Sequence, residues 1–157
     1  MKKYLLLFIL LIAFGLSACK KSDNTAASAA ATQAATDDAL IQAYIKTNNI
    51  PATKDPSGLY YEVITPGTGA YPTSTSNVTV AYTGKLLDGT VFDSKPSIFF
   101  ALNGGVIKGW SIGLPHINTG GTILLIIPSA LAYGTVGAGT IPANAVITFT
   151  ITLQGFN

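Results

Sequence analysis

Val78-Thr79-Val80-Ala81-Tyr82-Thr83-Gly84-Lys85-Leu86-Leu87-Asp88-Gly89-Thr90-Val91-Phe92-Asp93-Ser94 is the stretch that decides the fold. From Asn77, the residues Val78, Val80 and Tyr82 alternate onto one face of a strand, and Leu87-Asp88-Gly89-Thr90 is a hairpin signal leading into Val91-Phe92. Working outward, Ile98 to Leu102 reads as a short strand and Ile123 to Ile127 as an apolar run suited to a buried one. Val146 to Leu153 sets Val146, Thr148, Thr150 and Thr152 on one face against Ile147, Phe149, Ile151 and Leu153 on the other. On the upstream side, Leu59 to Ile64 is a strand and Pro66-Gly67-Thr68-Gly69 a turn. Lys108 to His116 is the one place for a helix within this region, with Pro115 near its first turn or beyond its end. The expectation is an α+β domain over residues 58–157, a small antiparallel sheet with one short helix against its concave face.

The residues before the domain read as an export and anchoring device. Lys2 and Lys3 precede an apolar run from Tyr4 to Gly15, and Leu16-Ser17-Ala18 leads to Cys19, the only cysteine. That is the layout of a signal peptide over residues 1–18, and the run is shorter than the roughly 20 apolar residues a bilayer span needs. Leu-Ser-Ala-Cys resembles a bacterial lipobox, which makes Cys19 the expected lipidation site and first mature residue. Residues 19–37, rich in Ala, Thr and Ser, are expected as a flexible tether, and residues 38–57 as a short helix and linker. That helix would be capped by Thr36-Asp37-Asp38, carry Leu40, Ile41, Tyr44 and Ile45 at helical spacing, and stop at Asn48-Asn49-Ile50-Pro51. Lys20, not aspartate, follows the cysteine, which favours the outer membrane of the cell envelope; the periplasmic or surface side is left open.

Charge excludes one class of partner. The chain has nine lysines, no arginine and seven acidic residues, and the two lysines of the signal account for the whole excess. A mature chain of balanced charge lacks the clustered cations that phosphate contacts require, so nucleic acid is not an expected partner.

The chemistry-bearing pieces are Val91-Phe92-Asp93-Ser94, Val106-Ile107-Lys108-Gly109-Trp110, Leu131-Ala132-Tyr133-Gly134, Ile141-Pro142 and Phe149. Apolar side chains beside turns are unusual, because turns normally face water. Only one carboxylate, Asp93, sits among them, with no nucleophile. His116 is the only histidine, and metal sites need more ligands than the chain supplies. The run Gly134 to Thr140 lacks the Gly-Lys-Ser/Thr of a phosphate loop and reads as a mobile flap. No metal and no cofactor are therefore expected, and the pieces suit a substrate whose reaction needs no bond cleavage.

The order of these pieces resembles the FK506-binding-protein (FKBP) type of peptidyl-prolyl cis-trans isomerase, from Val80-Ala81-Tyr82-Thr83-Gly84 through Ile127-Pro128 to Ile141-Pro142-Ala143-Asn144-Ala145 and Phe149. The resemblance implies an FKBP-like antiparallel sheet wrapped around one short helix. It implies a peptidyl-prolyl isomerase acting on unfolded or loop Xaa-Pro segments of exported proteins, with an FKBP-like peptide-binding chaperone of little catalytic activity as the alternative. Asp93, Tyr133, Phe92 and Trp110 would be its catalytic residues, and Tyr82, Ile98, Val106, Ile107, Ile141 and Phe149 its substrate-binding ones. Trp110 would form the floor, Asp93 would lie near the turning carbonyl and hydrogen-bond Tyr82, and the Tyr133 hydroxyl and Ile107 N–H would donate to substrate carbonyls. FK506- and rapamycin-type macrolides are expected ligands, the membrane is met through the lipid anchor, and the protein is expected to be a monomer. Two departures from the family bear on activity level and macrolide affinity. The loop after Asp93 is short and lacks an arginine, and Ile98 stands where relatives carry a phenylalanine.

Overall fold

The computed structural model describes residues 21–157, so the expected signal peptide and Cys19 lie outside the described residues. The chain divides into two units, Met1–Thr32 and Gln33–Asn157. The second contains the last turns of helix α1 (Lys21–Asn48) and all the strands: β1 (Thr53–Lys54), β2 (Tyr60–Thr65), β3 (Asn77–Leu86), β4 (Val91–Ala101), β5 (Thr122–Ile127) and β6 (Ile147–Phe156). Helix α2 (Lys108–Gly113) runs into a 3₁₀ turn at Leu114–His116. The six strands form one antiparallel sheet in the order β1-β2-β5-β6-β3-β4. This is the expected α+β arrangement.

Helix α1 differs from expectation. The stretch read as a flexible tether is helical from Lys21, and Asp37 lies inside the helix, not at its cap. The run Ala26-Ala27-Ser28-Ala29-Ala30-Ala31 explains it, since alanine has the highest helix propensity and needs no buried face to express it. The stop is where the sequence puts it. Asn49 takes a left-handed φ of 52°, and the Ile50 N–H donates to the Ile45 carbonyl at 3.0 Å, the Schellman pattern that ends helices.

Sheet burial explains the unbroken apolar run of β5. Ile123, Leu125 and Ile127 face the main core with Trp110, Leu114 and Ile117 of the α2 segment, while Ile126 faces a second cluster with Ile41 of α1, Tyr60 and Val146. A strand covered on both faces has no reason to alternate. β6 keeps its alternation, with Ile147, Phe149, Ile151 and Leu153 all in the main core.

β4 also differs from expectation. The short strand at Ile98 and the pair Val91-Phe92 belong to one strand, because the pairing passes from Val80↔Ile98 to Tyr82↔Lys95 through a bulge. The extra residue is absorbed at Lys95-Pro96-Ser97, and Pro96, which has no N–H to donate, is tolerated because β4 is the sheet's edge. What reads as a short loop after Asp93 is thus paired strand.

α2 lies unusually close to β5. A Cβ on Gly109 would stand 2.6 Å from Ile127 Cγ2, and one on Gly113 would stand 2.5 Å from Leu125 Cδ2. Both glycines are on the face that meets the sheet, so the helix can approach until Trp110 reaches the core. Ile127 is β-branched and fully buried, so its Cγ2 has little room to yield. Gly109→Ala is expected to destabilise the protein by about 1–3 kcal/mol, the range for overpacking a filled core. Denaturant unfolding measures it, and an unchanged midpoint would show that the helix can ride outward freely.

Candidate functional site

The close approach of α2 places Trp110, 3% exposed, among three other rings. Tyr82 from β3 meets it at a centroid distance of 5.1 Å and 78°, Phe149 from β6 at 5.1 Å and 90°, and Phe100 from β4 at 5.4 Å and 89°. Edge-to-face contacts of this kind exceed simple area burial in strength. The indole Nε1 has no hydrogen-bond partner, so the ring acts here through its apolar surface. Beside these four rings opens a cavity of about 390 Å³, which Asp93, Val106, Ile107 and Tyr133 also line, with Gly104 and Gly105 at its edge.

Each element contributes for a local reason. Ile107 is extended, at φ −63° and ψ 151°, and its carbonyl accepts the first turn's bond from the Trp110 N–H at 3.0 Å. Val106 and Ile107 therefore stand at the lip where the chain enters α2. Ser111 Oγ donates to the Leu102 carbonyl at 2.5 Å and ties that helix to the end of β4. Tyr133 follows the 3₁₀ turn Ser129–Leu131, and the flap beyond it closes through reciprocal Ala138–Ile141 backbone bonds of 3.0 and 2.8 Å.

The polar side of the cavity is one contact. Tyr82 Oη donates to Asp93 Oδ2 at 2.5 Å, and Asp93 sits opposite Gly84 in the β3–β4 register. Burial first, and then the Asp93 bond and charge, push the Tyr82 phenol well above the ordinary tyrosine range. Burial and the nearby Asp93 charge raise Tyr133 as well. Both phenols stay protonated donors at any physiological pH.

Seven of the expected site residues line this cavity: Asp93, Tyr133, Trp110, Tyr82, Val106, Ile107 and Phe149. The other three lie around it. Phe92 packs behind Phe149 at 5.4 Å and 87°, over Gly84, where a Cβ would come within 2.6 Å of its ring. Ile98 pairs with Val80 and packs on the core, and Ile141 is buried at the base of the flap. Sequence reasoning missed Phe100. It supplies the aromatic ring that Ile98 lacks, and the signal was present, because Phe100 shares a strand face with Ile98 while Phe99 points away. His116 lies elsewhere, stacked on Tyr61 at 4.1 Å and 3.8 Å from Asp55. Among the described residues, no group of three or more His, Cys, Asp or Glu side chains is placed to hold a metal.

Residues 69–154 match the family model described as FKBP-type peptidyl-prolyl cis-trans isomerase. The chain belongs to this family. Among curated FKBP relatives, the FKBP-type peptidyl-prolyl cis-trans isomerase FkpA of Aeromonas hydrophila is 45% identical over 118 residues, covering 72% of this chain and 42% of that protein. The outer membrane protein MIP of Legionella longbeachae is 46% identical over 105 residues, covering 62% of this chain and 44% of that protein. This FKBP chain thus spans less than half the length of the curated relatives it matches. Among solved structures, FkpA from Escherichia coli superposes with a TM-score of 0.70 at 34% identity, covering 86% of this chain and 67% of that one. The peptidyl-prolyl isomerase of Pseudomonas syringae pv. tomato gives 0.66 at 32% identity, covering 91% and 99%.

Proposed function

We propose that the protein is a peptidyl-prolyl cis-trans isomerase of the cell envelope, acting on Xaa-Pro segments of exported proteins while held to a membrane by lipid on Cys19. The observation that carries this reading is the four-ring cavity with its single Tyr82-bound carboxylate, in a chain of FKBP membership. Rotation about an Xaa-Pro bond faces a barrier of about 18–20 kcal/mol because twisting removes amide resonance. The twisted amide has a less polarised carbonyl, so an apolar, water-poor cavity favours it over the planar ground state. Each ~1.36 kcal/mol of that preference is tenfold in rate.

In this mechanism the proline ring stacks on Trp110 between Tyr82, Phe100 and Phe149. The Tyr133 hydroxyl and the Ile107 N–H donate to substrate carbonyls, and Asp93, fixed by Tyr82, faces the carbonyl that turns. Phe92, Ile98 and Ile141 support the walls and flap. No bond is made or broken, so none of these groups has to exchange a proton. Macrolides of the FK506 and rapamycin type are the ligands that fit the same apolar surface, Phe100 restoring the ring missing at position 98. The lipobox reading of Leu16-Ser17-Ala18-Cys19 supports the anchor, and the likeness to the outer membrane protein MIP supports an outer-membrane site. We take the protein to act as a monomer.

The test is refolding of a substrate whose slow phase is proline isomerisation. Substoichiometric protein is expected to accelerate that phase. An unaccelerated phase, together with peptide binding that perturbs Trp110, would replace the enzyme by a peptide-holding chaperone.

A further inference from the structure

We propose that Asp37 is a positioning residue for the cavity: its carboxylate, delivered by α1, fixes the 3₁₀ turn at Ser129 and thereby the tyrosine at position 133. The proposal rests on the isomerase reading above for its kinetic consequence, and on geometry alone for its structural one.

Asp37 is 1% exposed and Ser129 2% exposed, although neither is apolar. Asp37 Oδ2 accepts from the Ser129 backbone N–H at 2.8 Å and from Ser129 Oγ–H at 2.7 Å, while Oδ1 accepts from Gln33 Nε2 at 2.7 Å. No cation pairs with this carboxylate among the described residues. Burying a carboxyl group without an opposite charge is costly unless its oxygens are hydrogen-bonded, and all the donors here are neutral. Docking of the helix does not need it. Ile41 is fully buried on the sheet, and Asp38 independently accepts from Tyr60 Oη at 2.7 Å and from Lys54 Nζ at 2.5 Å.

What Asp37 adds lies on the other side of Ser129. The Ser129 carbonyl accepts from the Ala132 N–H at 3.0 Å and from the Gly134 N–H at 2.9 Å, so the residues on both sides of Tyr133 hang from one oxygen. The Gly134 carbonyl then accepts from the Asn144 N–H at 2.8 Å, which anchors the returning end of the flap. Through Ser129, a group on the far face of the sheet orients a phenol that lines the cavity. Buried polar networks of this kind specify one arrangement when every member is satisfied.

The experiment uses the full chain and four variants: Asp37→Ala, Asp37→Asn, Ser129→Ala and Asp38→Ala. Two readouts are taken, kcat and KM for an Ala-Leu-Pro-Phe-type peptide and the backbone amide resonances of Ala132 and Gly134. Asp37→Ala is expected to lower kcat/KM about tenfold, since an ångström of misplacement caused far from the chemistry can cost about 10²-fold. Asp37→Asn, which keeps an oxygen for Ser129, is expected to recover most of the loss. Asp38→Ala removes a helix-docking group of the same α1 segment and is expected to leave kcat/KM and both resonances in place, whatever it does to the melting temperature. If Asp37→Ala does not fold, Ser129→Ala carries the test, with the same resonances shifted in the same direction.

Unmoved Ala132 and Gly134 resonances in Asp37→Ala or Ser129→Ala would overturn the proposal. So would an equal loss of kcat/KM in Asp38→Ala. A wild-type protein without isomerase activity would sink the isomerase reading instead, and the resonances would still decide the role of Asp37.

Discussion

Trp110→Ala is expected to cost about 3–5 kcal/mol of stability, the range for truncating a buried large aromatic residue, and to abolish measurable acceleration of proline-limited refolding. The stability loss follows from what cannot move in to fill the space. Tyr82 is held by its bond to Asp93, Phe149 is paired with Gly84 on one side and Leu125 on the other, and Phe100 is paired with Val78 in the sheet. Each meets the indole at a steep interplanar angle, so the ring's removal leaves three faces without contact. Nε1 has no partner within the protein, so no intramolecular hydrogen bond is lost and the deficit is one of packing. Trp110→Phe is thus the informative companion, expected to recover part of both stability and activity. Trp110 is the only tryptophan, so unfolding is followed by circular dichroism. A Trp110→Ala protein within about 1 kcal/mol of the parent would contradict the geometry, since mutants of unremarkable surface sites already fall in that range.

The second expected result is kinetic. Asp93→Ala is expected to lower kcat/KM by about 10- to 150-fold, the equivalent of the roughly 1.5–3 kcal/mol assigned to hydrogen bonds with charged groups. Asp93 itself is exposed, so little of the effect is loss of packing. The buried partner is Tyr82, whose hydroxyl loses the acceptor that fixes it beside Trp110. Tyr82→Phe removes the same bond from the other side, and if the bond is the active unit the double variant is no worse than either single one. Alkaline pH gives a further check. The Tyr82 proton is bound more tightly in the folded protein, so the stability it contributes is complete below the ordinary tyrosine value of 10.0 and lost only as pH rises through the higher folded value. Activity is therefore expected to hold through pH 10.0. A fall centred there would mean that the phenol titrates as if free. For Asp93→Ala, an unchanged kcat/KM would remove the carboxylate from the mechanism.

Much of this was legible in the sequence because the signals were local. Alternation marked β3 and β6, the Asp88-Gly89 turn marked the hairpin, and the Asn49-Ile50-Pro51 stop ended α1 where expected. The apolar residues beside turns stood out for the same reason, and seven of the expected site residues line one cavity. Phe100 was missed although it shares a strand face with Ile98, because what brings it to the cavity is its pairing with Val78 across the sheet, and such pairing is not written in local composition. The length of α1 was missed because the absence of a burial pattern was taken for absence of order, whereas polyalanine needs no burial to be helical. Asp37 looked like a helix cap, the commonest use of an aspartate before an apolar run. Its partner Ser129 lies 92 residues away, and no local pattern announces such a pair.

The two-sided burial of β5 bears on how the chain may be shortened. The segment that matches the family, residues 69–154, leaves out α1, β1 and β2. A protein trimmed to it would bare Leu124 and Ile126 on one face and the backbone of β5 along one side, in the middle of the uninterrupted run Ile123–Ile127. Short, uncharged, β-prone segments with a free edge are the ones that recruit copies of themselves. The end of α1 and the first strands thus cover this run, and the isolated family segment is expected to be limited first by aggregation.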